Sequence, residues 1–279
     1  MLSNCKLPVA SALPALREAL AGACGSVLTA PPGSGKTTLV PLALLDEPFM
    51  KGKHIVMLEP RRVAARAAAW RMSDMIGEAC GGTVGYATRF ERELSSGSRV
   101  IVLTEGLFAR RILDDPELNG CGLVIFDEFH ERSLNADFGL ALALDCQRGL
   151  RPDLRILVMS ATLDVAPVLK FMYNSPGTAS WYRDAVPGEL HISAEGRMFP
   201  VETVFCPQPA ERRLPDGVAS VVRRALAETD GSVLAFLPGE GEIRIAADLL
   251  RDCGGNVDTL PLYAALPRRI FAASVSPPR

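Results

Sequence analysis

What this 279-residue sequence lacks narrows its reading at once. It has no apolar run near the ~20 residues that a membrane-crossing helix needs. Its seven cysteines, Cys5, Cys24, Cys80, Cys121, Cys146, Cys206 and Cys253, form no CxxC pair. An odd, scattered set without ligand spacing argues against zinc modules and disulfide frameworks, and implies reduced thiols in a cytoplasmic protein. It lacks an excess of either charge: the formal net charge is −2. No global field therefore draws it to polyanions or acidic membranes, and a nucleic acid must be held by a local basic stripe. Lysine is scarce, 5 against 25 arginines. Genome base composition accounts for that bias as readily as a need for forked guanidinium groups that grip phosphate. No internal repeat of fixed period is present. A cleavable leader is also not expected, because Arg17 and Glu18 interrupt the apolar stretch from Leu7 to Cys24 and only Lys6 precedes it. Residues 12–21 are expected to form a short amphipathic helix feeding a strand.

What is present fits a globular protein, with 48% hydrophobic and 22% charged residues. At ~150 residues per domain the length allows two domains. Five short runs are apolar on successive residues: Ser26–Ala30, His54–Glu59, Arg99–Thr104, Gly122–Asp127 and Arg155–Ser160. Strands covered on both faces read this way. Helical patterns lie between them at Thr37–Leu45, Val63–Ile76, Glu105–Leu113 and Ala136–Leu144. The alternation predicts an α/β fold, a parallel sheet with helices on both faces, whose strand-end loops share one edge. Asn174–Pro187 reads as a loop, and Ile192–Phe205 as a strand pair broken by Gly196 and Pro200. A second unit then begins near Val201, with helices expected at Val218–Leu226 and Gly241–Leu250 and strands at Ser232–Leu237 and Val257–Tyr263. It is short against the ~100–150 residues usual for a domain and reads as incomplete.

Two motifs carry chemistry. Ala30–Thr38 reads APPGSGKTT between a strand and a helix, the form of a phosphate-binding loop. Gly33 and Gly35 permit backbone angles that aim several N–H groups at one point, and the following helix adds its positive end. Pro32, Ser34 and Thr38 complete the nucleotide-binding loop; Lys36 can reach the β- and γ-phosphates, and Thr37 can offer its hydroxyl to Mg²⁺. The second motif is Leu123–Glu128, LVIFDE, a buried strand that stops at two carboxylates on the phosphate-facing edge. Asp127 is placed to hold Mg²⁺ through water. Glu128, beside the metal, is placed to orient and deprotonate an attacking water.

With the continuation DEFHERS, these residues resemble the DEAH/DExH-box helicases of superfamily 2, and within them the HrpB-type branch, where DEFH (Asp127–His130) stands for DEAH. The resemblance runs from Ser26 to about Pro267. APPGSGKTT resembles motif I, EPRRVAAR (Glu59–Arg66) motif Ia and SAT (Ser160–Thr162) motif III. VGYATRFE (Val84–Glu91) and TEGLFARR (Thr104–Arg111) resemble segments that line the RNA track. FLPGEGEI (Phe236–Ile243) and PLYAALP (Pro261–Pro267) resemble motif IV and its neighbour in a second RecA-like domain.

The resemblance implies a P-loop NTPase of RecA-like fold over residues 1–200, a partial second RecA-like domain over 201–267 and an aberrant tail over 268–279. It implies ATP and Mg²⁺ as cofactors, with Lys36, Asp127, Glu128 and His130 catalytic. It places Arg61, Arg62, Arg89 and Thr104 on single-stranded RNA or DNA without base specificity, Arg71 against the nucleotide base, and Ser160 and Thr162 between hydrolysis and domain movement. No membrane partner is implied, and the oligomeric state stays open.

The activity implied is ATP-driven movement along a strand, usually 3′ to 5′. Motifs V and VI, whose arginines reach the γ-phosphate, have no counterpart, so the chain is expected to be a fragment with weak turnover. The alternative is a nucleotide- and RNA-binding fragment without productive turnover. A P-loop transporter ATPase or kinase is disfavoured, because motifs Ia and III then go unexplained.

Overall fold

Strands that are apolar on consecutive residues need cover on both faces, and residues 1–199 supply it with a sheet between two helical layers. A computed structural model describes residues 7–162, 164–173, 190–195, 200–207, 213–253 and 257–263. The strands are β1 (Gly25–Thr29), β2 (His54–Glu59), β3 (Val84–Ala87), β4 (Arg92–Glu93), β5 (Val100–Thr104), β6 (Cys121–Phe126), β7 (Arg155–Ser160) and β8 (His191–Ser193). They lie in the order β4-β3-β5-β2-β6-β7-β1-β8, and only the β3–β4 pair is antiparallel. Successive side chains take opposite faces. Ile55 and Met57 of β2 and Leu123 and Ile125 of β6 enter one core layer, while Val56, Leu58, Val124 and Phe126 enter the other.

The first layer is closed by α1 (Leu13–Gly22), α2 (Lys36–Leu44) and α3 (Arg62–Ile76). The second is closed by α4 (Glu105–Asp114), α5 (Leu134–Gly149) and α6 (Val165–Tyr173). Parallel pairing sets the carboxyl ends of β1, β2, β5, β6 and β7 along one edge. There Thr29 pairs with Ser160, and Glu59 with Thr104. Helix α3 starts from extended Arg61 and stops at Gly77, whose φ of 74° lets its N–H turn back to Asp74 O. Along it Ala64, Ala67, Ala68 and Arg71 recur at helical spacing on one face.

Residues 200–279 form a separate unit, in which α7 (Leu214–Glu228) and α8 (Glu240–Leu250) meet through Ala219, Val222 and Leu250. The expected helices are present there, but the runs Ser232–Leu237 and Val257–Tyr263 are not strands. A strand exists through its ladder of partner hydrogen bonds. Neither run has such a partner among the described residues, and Leu234 and Phe236 are largely exposed. Of the expected strand pair over Ile192–Phe205, the described residues show β8, and 200–207 is irregular; Gly196 lies outside the described residues, as do Asn174–Pro187 and the 268–279 tail. Strands β3 and β4 and helix α6 were not expected from the sequence.

Candidate functional site

The loop between β1 and α2 is shaped by two left-handed glycines, Gly33 (φ 75°) and Gly35 (φ 90°). At Gly35 a Cβ would also come within 2.6 Å of the Leu7 side chain, so glycine is required twice over. Ser34 N–H bonds back to Pro31 O at 3.2 Å, and Val9 N–H holds Ser34 O at 3.1 Å. The Ser34 hydroxyl is buried with no hydrogen-bond partner among the described residues, an unmet polar group inside the loop. Lys36 opens α2 and its side chain is buried.

Strand β7 separates β1 from β6, so the loops after β1 and β6 face each other across one strand. Lys36 Nζ lies 2.8 Å from Glu128 Oε1, and Thr37 Oγ1 donates to Asp127 Oδ2 at 2.6 Å. Glu128 N–H donates to Asp127 Oδ1 at 2.8 Å, so both carboxylate oxygens of Asp127 are fixed. Burial pushes the Asp127 carboxyl up to about 6, against the opposing effects of the Thr37 hydrogen bond and the Lys36 charge. Glu59, at the end of β2, is raised well above the usual carboxylate range by burial and then by the Asp127 and Glu128 charges. His130 Nδ1 stands 3.3 Å from Glu128 Oε2, within ion-pair distance but outside hydrogen-bond geometry.

A cavity of about 450 Å³ opens beside these groups. Thr37, Thr38 and Glu128 line one end; Ala64, Ala67, Ala68 and Arg71 of α3 form a wall of small residues ending in a guanidinium group. Glu59, Pro60, Arg61 and Glu131 complete it. The fold thus brings Lys36, Thr37, Thr38, Asp127, Glu128, His130 and Arg71 to one place. A hydroxyl and a carboxylate suit a hard cation. Among the described residues no cluster of three acidic, histidine or cysteine side chains is placed to hold a metal.

The other expected residues stand around this centre. Ser160 is fully buried at the end of β7; its hydroxyl donates to Thr162 O at 3.2 Å, and its carbonyl accepts from Ala30 N–H at 3.0 Å, beside the phosphate loop. Arg61 Nη2 is ion-paired to Glu131 at 2.9 Å. Arg62 and Arg89 both lie over the exposed Phe90 ring, at 5.3 and 5.4 Å. Thr104 ends β5 and precedes α4, apart from the cavity lining. Sequence reasoning missed Glu59, Glu131 and Phe90. Glu59 carried a usable signal, since β2, like β6, is an apolar strand stopping at a carboxylate.

A family profile described as DEAD/DEAH box helicase matches residues 11–171. The chain is 47% identical over 261 residues to the ATP-dependent RNA helicase HrpB of Escherichia coli (strain K12), covering 93% of this chain and 30% of that protein. It is 34% identical over 237 residues to the ATP-dependent RNA helicase HrpA homolog of Haemophilus influenzae (strain ATCC 51907 / DSM 11121 / KW20 / Rd), covering 84% and 17%. The crystal structure of Escherichia coli DEAH/RHA helicase HrpB superposes with a TM-score of 0.85 at 43% identity, over 98% of this chain and 33% of that one. The crystal structure of E. coli DExH-box NTPase HrpB gives 0.73 at 42% identity, over 100% and 33%. The chain therefore spans about 30% or less of the length of these curated relatives.

Proposed function

The chain belongs to the DEAD/DEAH box helicase family, and from that premise we propose that residues 1–200 form the ATP-binding, RecA-like domain of an ATP-dependent RNA helicase of the HrpB type. Residues 201–267 are proposed as part of a second such domain. The observation that carries the reading is the pairing of Lys36 with Glu128 and of Thr37 with Asp127, which joins the phosphate loop to the carboxylates of DEFH.

In this reading the backbone of Pro32–Thr38 and the positive end of α2 receive the nucleotide phosphates, and Lys36 leaves Glu128 to neutralise them. Thr37 and Asp127 would hold Mg²⁺, which would supply positive charge to offset the negative charge of the phosphates. Glu128, released from Lys36, accepts the proton of the attacking water, and His130 stands beside its carboxylate at 3.3 Å. Arg71 lies along the α3 wall of the cavity, where a guanidinium plane can stack on the base. Ser160 and Thr162, tied through Ala30 to the loop, pass the state of the γ-phosphate onward.

Arg61, Arg62, Arg89 and Thr104 take a single strand of RNA or DNA by its backbone, giving binding with little base preference. Movement along the strand is proposed on the family alone; the HrpB relative is named an ATP-dependent RNA helicase, and this chain spans about 30% of that protein.

The test is ATP·Mg²⁺ titration calorimetry on the Lys36→Ala variant. A hydrogen bond to a charged group contributes about 1.5–3 kcal/mol, so affinity should fall by roughly 10- to 150-fold. Equal affinity in the two proteins refutes the phosphate-loop reading.

A further inference from the structure

The turn that follows Asp127 leads away from the nucleotide cavity to a buried carboxylate that no step above uses. Glu128 (φ 50°) takes the left-handed conformation and Arg132 (φ 43°) also has a positive φ, the two joined by the tight turn Phe129–Glu131. Glu131 N–H bonds to Glu128 O at 2.9 Å, and Arg132 N–H to Phe129 O at 3.3 Å. Non-glycine residues hold a positive φ at an energetic cost and persist there where their surroundings fix them, which restricts this segment. Its far end is Ser133, whose Oγ accepts from Ala136 N–H at 2.9 Å and caps α5.

The same Ser133 hydroxyl donates to the carboxylate of Glu105. Glu105 is the first residue of α4, directly after Thr104, and is 8% exposed. A carboxylate so buried needs compensation, and the start of α4 and the serine hydroxyl provide it. A second contact runs in parallel. Phe108 of α4 packs edge-on against Phe126 at 5.9 Å, and Phe126 against Phe129 of the turn at 6.2 Å. The first turn of α4 and the turn that carries Glu128 are therefore fastened at two points.

We infer that Glu105 is a positioning residue that couples a nucleic-acid strand held at Thr104 to the placement of the Glu128 carboxylate, acting through Ser133. The inference rests on the nucleic-acid reading given above. A strand bound at Thr104 biases the first turn of α4, Glu105 passes the bias to Ser133, and the stiff segment Glu128–Ser133 carries it to the nucleotide site. Because coupling is reciprocal, nucleotide binding then alters the grip on the strand by the same factor.

The experiment titrates a fluorescent ATP analogue with Mg²⁺ into the 279-residue protein, alone and with saturating oligouridylate. In the wild-type chain the RNA should change nucleotide affinity by about fivefold or more. Glu105→Ala should bind each ligand alone as the wild type does, while the ratio of the two affinities collapses toward one. Glu105→Gln, which keeps an oxygen for the Ser133 hydroxyl, should retain most of the coupling. Ser133→Gly, a substitution that leaves capping nearly intact, should lose it, and it serves if the Glu105→Ala protein does not fold. A merely structural Glu105 would lower thermal stability and both affinities together and leave the ratio alone. A wild-type ratio in Glu105→Ala or Ser133→Gly overturns the inference, as does a wild-type chain whose nucleotide affinity ignores bound RNA. Failure of the wild-type chain to bind oligouridylate at all is a different result, and it refutes the nucleic-acid reading itself.

Discussion

Replacing Glu128 by Gln should tighten ATP binding while it stops hydrolysis, and both effects follow from one contact. Lys36 Nζ is 2.8 Å from Glu128 Oε1, with the lysine side chain 4% and the glutamate 27% exposed. ATP must take the lysine away from this carboxylate. A hydrogen bond between charged groups contributes about 1.5–3 kcal/mol, and one to a neutral amide about 1 kcal/mol. The Gln variant therefore gives up Lys36 more easily by about 0.5–2 kcal/mol, and ATP affinity should rise roughly 2- to 30-fold. It also removes a negative charge that would face the γ-phosphate. The group proposed to take the proton from water is lost, so single-turnover hydrolysis should fall by about 10²–10⁴-fold. Calorimetric titration with ATP·Mg²⁺ and a rapid-quench single-turnover assay read the two halves separately. A Gln variant that binds ATP more weakly than wild type refutes the exchange of Lys36. One that hydrolyses at the wild-type rate refutes Glu128 as the base.

The double substitution Arg61→Ala, Arg62→Ala should weaken binding to all single-stranded sequences alike, and the slope of log K on log salt should flatten by ~0.7 per lost phosphate contact; fluorescence anisotropy with an unchanged slope assigns the pair to a solvated surface. A pH effect on stability should arise at His54, held to about 4 first by burial and then by the Arg111 charge, whose guanidinium sits 3.2 Å from His54 Nε2. With the native value below the unfolded one, the unfolded chain binds more protons between pH 4 and about 6.5, so stability should rise with pH across that window. Thermal melts of His54→Gln should show a flatter dependence there, and an unchanged one refutes the assignment.

The phosphate loop and DEFH were legible because chemistry restricts their residue types: glycine takes the positive φ of Gly33 and Gly35 without a steric cost, and only an acid at a strand end serves as Asp127 does. The five central strands were legible because double-sided burial forbids polar interruptions. The remainder depended on partners distant in sequence. The pairs Arg61–Glu131 and Ser133–Glu105 join loops after β2, β5 and β6, and no local pattern fixes which loops become neighbours. Strands β3, β4 and β8 are two to four residues long, too short for a periodic signal. Ser232–Leu237 failed in the opposite direction. Its residues suit a strand, but suitability does not supply a ladder.

The pairs that the sequence could not reveal share a logic. Glu128 holds Lys36, the cation proposed for the nucleotide phosphates; Glu131 holds Arg61, a cation proposed for the nucleic-acid backbone. Both carboxylates belong to the same short segment, and both line the cavity. Each cation is thus neutralised in place, which matters most for Lys36, because a buried ammonium without a partner is costly. In the proposed reading each ligand competes with a carboxylate for its cation and frees that carboxylate on binding. Glu128 then becomes available as a base once phosphate has taken Lys36, so the presence of substrate releases the base.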